Sequence, residues 1–254
     1  MAGLGIVTGG ATGIGWAIVE ALLEEQIVDR VAVFDLDPTL PREDPRIQAH
    51  RCDVTDEDSV RAAYAATGEV PTVLVNNAGG GRIGAVSGPA AGAADPAEGG
   101  TTAFDPFAPV DDFREMVDLN FTSAHIVTRV IGPDLQPGAA ICNTASVAGQ
   151  VPGRLFSYGA AKAALIHWTV AMAKELAPRQ IRVNAVAPGI IRTRLWETMQ
   201  PDEAAYDAMI ADIMPMGRDQ SPADIADSVA FLCSDRAAQV TGEVIRIDGG
   251  FTLR

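Results

Sequence analysis

The sequence predicts an α/β fold in which a parallel sheet is covered by helices on both faces. Three observations carry this reading. Short apolar runs alternate with segments of helical spacing along the chain. The runs are apolar at nearly every residue, as strands buried on both faces are. Nearly every unusual residue cluster stands at the carboxyl end of such a run, where open α/β sheets bind ligands. Right-handed crossovers then give a doubly wound sandwich.

The elements follow in order. Leu4 to Thr8 is an apolar run closed by glycines, and Ile14 to Glu25 has helical spacing with Ile14, Ile18, Ala21 and Leu22 on one face. Val31 to Phe34 is a buried strand ending at Asp35, and Ile47 to Cys52 is a weaker one ending at Asp53. Thr55 is expected to cap an acidic helix running to about Thr67. Thr72 to Val75 is a strand ending in Asn76-Asn77-Ala78-Gly79. Asp111 to Ile131 reads as one long helix. Ala139 to Asn143 is a strand, Ser157 to Ala177 a helix stopped by Pro178, and Arg182 to Val186 a strand ending at Pro188-Gly189. Ser221 and Pro222 open a helix to Cys233, and Val244 to Ile247 is the last strand.

Two regions break this rhythm. Residues 80–100 hold seven Gly, six Ala and two Pro, which reads as a flexible loop near the site or a solvated decoration. Ile190 to Gly217 is helical and rich in Trp196, Met199, Tyr206, Met209, Ile213, Met214 and Met216. It reads as a substrate lid or as a core or subunit-contact helix. The expected organisation is a single dinucleotide-binding and catalytic domain over 1–254, with a Gly/Ala-rich insertion at 80–110 and a lid at 190–217.

Composition narrows the function. The chain has 33 acidic and 19 basic residues, a formal charge of -14. That field repels phosphate backbones and anionic lipid, so neither nucleic acid nor membrane is an expected partner. No stretch approaches the roughly 18 apolar residues of a membrane-spanning helix. Met1 to Thr8 shows no signal peptide, and Ala2 removes N-myristoylation. Cys52, Cys142 and Cys233 read as reduced core thiols of a cytoplasmic protein, with no disulfide framework or metal site expected.

Thr8-Gly9-Gly10-Ala11-Thr12-Gly13-Ile14-Gly15 joins the first strand to the first helix. Missing side chains let the backbone approach a pyrophosphate, and the helix start offers free N–H groups. No Lys-Ser/Thr pair follows, so this is a dinucleotide loop and not a triphosphate loop. Asp35 lies 35 − 15 = 20 residues past the last glycine, the spacing at which an acid meets the adenosine ribose hydroxyls. It therefore points to NAD, whose ribose lacks the 2′-phosphate. Asp53 can meet the adenine edge or cap the next helix. Arg42 and Arg46, in the proline-broken segment after Asp35, are the cations that can upset this preference by folding back.

Tyr158 and Lys162 are four apart on one helix face, and Lys162 is one of only two lysines in the chain. A fixed ammonium favours the phenolate, so the pair can exchange a proton with a substrate oxygen. Ser146, at another strand end, can donate to a carbonyl oxygen, and no nucleophile elbow surrounds it. Asn120 sits inside a helix that its propensity does not favour, where its side chain can hold a water or a backbone group. His50, His125 and His167 read as structural or surface residues. Arg192 and Arg194 can meet an anionic group on a substrate or remain solvated. Trp196, Met199, Met209 and Met214 suggest that the substrate has an apolar body.

These motifs, in this order, resemble the short-chain dehydrogenase/reductase family, over about residues 4 to 250. The resemblance implies a Rossmann-type sandwich with a seven-stranded parallel sheet and commonly a dimer or tetramer. It implies Tyr158 as acid/base and Lys162 binding the nicotinamide ribose and lowering the tyrosine pKa. Ser146 orients the substrate oxygen, and Asn120 completes a water-linked proton path. It places Gly9, Thr12, Gly13, Ile14, Gly15, Asn77, Ala78, Gly79, Pro188, Gly189 and Ile191 along the cofactor, Val54 beside the adenine and Thr193 on the carboxamide. The implied activity is hydride transfer between NAD and a secondary alcohol or ketone. A lyase or epimerase on the same scaffold and a non-catalytic dinucleotide sensor are the alternatives. Three departures stand out. The segment from Asp35 to Asp53 has little room for a crossover helix, which leaves the adenosine side more open. The stretch from Gly79 to Asn120 is long, and the gap from Ser146 to Tyr158 is about one residue short.

Overall fold

A computed structural model describes residues 3–80, 106–191 and 202–253. Seven parallel strands form one sheet in the order β3-β2-β1-β4-β5-β6-β7. They are β1 (Leu4–Thr8), β2 (Arg30–Asp35), β3 (Ile47–Arg51), β4 (Pro71–Asn76), β5 (Ala140–Thr144), β6 (Arg182–Pro188) and β7 (Val244–Ile247). The helices are α1 (Gly13–Glu24), α2 (Glu57–Thr67), α3 (Val110–Val117), α4 (Ser123–Ile131), α5 (Phe156–Leu176), α6 (Glu203–Ile213) and α7 (Pro222–Cys233). The central strands β1 and β5 are buried at every residue. On one face Ile18, Leu22, Ile225 and Val229 of α1 and α7 pack on Val7, Val33 and Val186. On the other, Val60, Val127, Ile131 and Ala173 of α2, α4 and α5 pack on Ile6, Phe34, Leu74 and Val183. The doubly wound reading therefore holds.

Chain order reverses between β1 and β4, so a crevice opens beyond the carboxyl ends of these strands. Residues 36–46 contain no helix, and β2 passes to β3 through turns, as the prolines required. The sheet edge is accordingly open there, with Ala49 and Arg51 exposed.

Three expectations are corrected. Asp56, not Thr55, caps α2, accepting from Asp58 N. The Thr55 hydroxyl is drawn back to Asp53 Oδ1 at 2.6 Å, which removes it from the cap. The long helix over 111–131 is split by a wider turn, Asp118–Thr122, between α3 and α4. In the segment 190–217 the described helix is α6, and its Tyr206 and Ile210 form a small buried core with Met214 just past its end. Met214 is 1% exposed, so it packs against Tyr206 and Ile210 and presents no surface to a ligand. Arg192, Thr193, Arg194, Trp196 and Met199 lie outside the described residues, as does most of the Gly/Ala-rich insertion.

Candidate active site

The glycine loop is fixed from two sides. Thr8 Oγ1 accepts from the backbone N–H of Asn77 and of Ala78, both at 3.0 Å, and Asn77 Nδ2 donates to Thr8 O and Gly9 O at 3.2 and 3.1 Å. Ala11 N donates to Asp35 Oδ2 at 3.1 Å, and Asp37 N to Asp35 Oδ1 at 3.2 Å. Both carboxylate oxygens are thus held by backbone beside the loop. A Cβ on Gly15 would lie 1.9 Å from Gly9 O, so no side chain fits there. Gly13, at φ +56°, would point a Cβ into open space above the start of α1, and Thr12 places no side-chain cap on that helix. Uncapped N–H groups facing an open cradle, flanked by a fixed carboxylate, fit the pyrophosphate and ribose of a dinucleotide.

The other sequence-chosen residues gather nearby. Lys162, 3% exposed, donates from Nζ to Thr144 O at 2.8 Å, and its Nζ lies 5.7 Å from the Tyr158 ring centroid. Gly79 separates Lys162 from Asn120: a Cβ there would meet Asn120 Oδ1 at 2.9 Å and Lys162 Nζ at 3.1 Å. Asn120 sits in the wider turn, its Nδ2 donating to Gly80 O at 2.6 Å and Met116 O at 3.0 Å while Gly80 N donates to its Oδ1 at 2.9 Å. Its amide holds backbone, as its placement inside a helix suggested. Ser146 stands just past β5, with Oγ accepting from Ala148 N at 3.2 Å. It also lies beside the phenol of Tyr158.

The electrostatics differ from the expectation at one point. Burial pushes the Tyr158 phenol up, and the Ser146 hydroxyl opposes that shift. Burial also pushes Lys162 down to about 8. The free protein therefore does not lower the tyrosine: removing both groups from water penalises each charged form. At pH 7, below 8, Lys162 still carries its charge beside the ring.

The remaining residues divide. Pro188 is buried, and Gly189 beside it has no room for a side chain against Asp248. Ile14 packs on the α1 core cluster, and Ile191 is buried in a bridge with Gln220. Val54 is buried in the core below α2, and the Asp53 carboxylate is held by Thr55 N at 2.9 Å and the Thr55 hydroxyl. A cavity of about 630 Å³ opens on the β3 side of Asn120, lined by Asp53, Gly80, Asp112, Glu115, Met116 and Asp118 among others.

Sequence reasoning missed a buried polar bridge beneath the site. Asn76 Nδ2 donates to Thr128 Oγ1 at 3.0 Å and to Asn143 Oδ1 at 2.9 Å, and Asn143 Nδ2 donates to Thr169 Oγ1 at 2.9 Å. It links α4 to α5 across β4 and β5. The available signal was asparagine inside strands expected to be buried on both faces, since buried amides need partners. Thr144 was also missed, because its backbone carbonyl, which no pattern marks, receives Lys162.

Residues 9–252 match the family described as enoyl-(acyl carrier protein) reductase. A 3alpha-hydroxysteroid dehydrogenase of Mediterraneibacter gnavus is 34% identical, covering 96% of this chain and 94% of its own. A 2-(R)-hydroxypropyl-CoM dehydrogenase of Xanthobacter autotrophicus is 34% identical over 99% of both chains. The chain belongs to the short-chain dehydrogenase/reductase family. Among solved structures, an NADPH-bound short-chain oxidoreductase of Pseudomonas aeruginosa with an atypical catalytic centre superposes with a TM-score of 0.80 at 30% identity, covering 98% of this chain and 96% of its own. As a member of this family the protein is an oxidoreductase with a nucleotide-binding fold. Among the described residues no helix is long and apolar enough to cross a membrane.

Proposed function

We propose that the protein transfers a hydride between NAD and a carbon bearing a secondary alcohol or ketone, with Tyr158, Lys162, Ser146 and Asn120 as its catalytic residues. The observation that carries this reading is the meeting of Lys162 and Asn120 at Gly79, with the Tyr158 ring centroid 5.7 Å from Lys162 Nζ and the dinucleotide cradle beside them. The nicotinamide, when bound, supplies the hydride acceptor or, in reverse, the donor. In the oxidation direction Tyr158 reacts as its phenolate, which the charge of Lys162 favours, and takes the hydroxyl proton as the carbinol hydrogen leaves with its electron pair. Ser146 Oγ donates to the substrate oxygen and fixes it over the phenol. Charged Lys162 opposes the burial of the phenolate and holds the nicotinamide ribose. Asn120 fixes the Gly80 backbone at the mouth of the site, where a water can join the proton path.

The preference for NAD rests on Asp35. A 2′-phosphate about 4 Å from its carboxylate is repelled by about 4 kcal/mol at an effective dielectric near 20, before salt and relaxation reduce this. The two arginines of the segment after Asp35 are engaged elsewhere: Arg42 pairs with Glu20 at 3.3 Å beside the Trp16 ring, and Arg46 pairs with Asp44 at 2.7 Å. One relative of known structure holds NADPH, so membership of the family does not by itself fix the choice. We expect kcat/KM for NAD to exceed that for NADP at least about tenfold, and Asp35→Ala to collapse the ratio. A wild-type preference for NADP refutes the cofactor assignment.

The whole chain works, in this proposal, as one cytoplasmic dinucleotide-binding and catalytic domain that associates with copies of itself. Val170 on α5 and Phe113 on α3 are 48% and 44% exposed, more apolar surface than a solvated helix face needs.

A further inference from the structure

One cation at the adenosine end is left over, and the register of the sheet places it. Asp35 of β2 pairs with Arg51 of β3, so the two side chains leave the sheet on one face. That face is the side of the glycine loop, because Asp35 reaches Ala11 N. β3 is the edge strand, no helix covers residues 36–46, and Arg51 is exposed. Among the described residues Arg51 makes no ion pair. Its field reaches the turn after β2, where the Asp37 carboxyl is lowered first by its bonds with Thr39 and further by Arg51. Asp35 does not swing across to neutralise Arg51, since backbone N–H groups hold both of its oxygens.

We infer that Arg51 sets how strongly NADP is refused: its guanidinium meets the 2′-phosphate of NADP from the far side of Asp35, so that this cofactor is bound weakly instead of excluded. The inference rests on the adenosine ribose sitting at Asp35, as proposed above. A guanidinium fork suits phosphate oxygens, while the plain ribose of NAD offers it no anion. Asp35 and Asp37 outnumber the single cation, so NAD remains preferred. Arg51 fixes the size of the preference and leaves its direction alone.

The test is calorimetric titration of NAD and NADP separately into the wild type, Arg51→Gln and Arg51→Lys, read as the ratio Kd(NADP)/Kd(NAD). Loss of one charge-assisted contact raises that ratio about fivefold or more in Arg51→Gln. Arg51→Lys, which keeps the charge without the fork, falls between. A ratio within twofold of wild type in Arg51→Gln, or one that falls, overturns the inference, as does equal weakening of both cofactors. Failure of the underlying reading is seen elsewhere, in a wild-type ratio below one, whatever the variants do.

Discussion

Replacing Lys162 with methionine should abolish activity and yet stabilise the cofactor-free protein at neutral pH. Burial pushes this lysine from an ordinary 10.5 down to about 8. The side chain is 3% exposed, so solvent screens little of that cost. A difference of 10.5 − 8 = 2.5 pH units corresponds to about 3 kcal/mol. Below pH 8 both folded and unfolded chains carry the proton, and the native state bears the whole penalty. Between 8 and 10.5 the unfolded chain holds a proton that the native state has released, so wild-type stability rises with pH. Methionine fills similar space without the charge but loses the Nζ bond to Thr144 O, which costs about 1–2 kcal/mol. The variant should then be more stable by about 1–2 kcal/mol at pH 7, a rise in Tm of roughly 2–8 °C for a domain of this size. Urea unfolding from pH 6.5 to 9.5 should show the gap narrowing by about 2 kcal/mol, the 1.5 pH units above 8. A variant less stable than wild type at pH 7, or a gap that does not change with pH, would refute the reasoning.

Two further outcomes are expected. Thr169→Val removes the acceptor of Asn143 Nδ2 in the bridge between α4 and α5, and leaving that buried donor unpaired should cost about 1–3 kcal/mol by urea unfolding, most of it restored in Thr169→Ser. Val170→Glu puts a charge on the exposed apolar side of α5, and light scattering should show a wild-type oligomer reduced to the 26.5 kDa chain.

The sheet was legible because its central strands are buried on both faces and mostly apolar, which leaves few other readings of Leu4–Thr8 or Val31–Phe34. The site was legible because Tyr158 and Lys162 share a helix face and the glycines stand between a strand and a helix. What escaped depends on distance or on close competition. Thr55 and Asp56 are neighbouring cap residues, and the prior bond of Thr55 to Asp53 decides between them. The wider turn at Asn120 is stabilised by contacts with Gly80, 40 residues away, which no periodicity records. The polar bridge joins residues 52 and 67 apart. Arg51 acquires meaning only from strand register, since in sequence it lies 16 residues from Asp35 (51 − 35). Tyr158 and Lys162 lie close together, as their spacing predicts, but their local charge balance was not legible, because it depends on how far each side chain is taken from water.

The central claim is that Tyr158 moves a proton while hydride passes directly between a carbinol carbon and the nicotinamide. It is tested most directly by following a deuterium placed on the carbinol carbon of a secondary alcohol turned over with NAD. A panel of alcohols first identifies one that is oxidised. The account predicts that the deuterium appears on the reduced nicotinamide ring, and that Tyr158→Phe binds NAD normally but transfers label about two to four orders of magnitude more slowly. Product formed with the deuterium retained or lost to water, or label transfer at the wild-type rate in Tyr158→Phe, would contradict it.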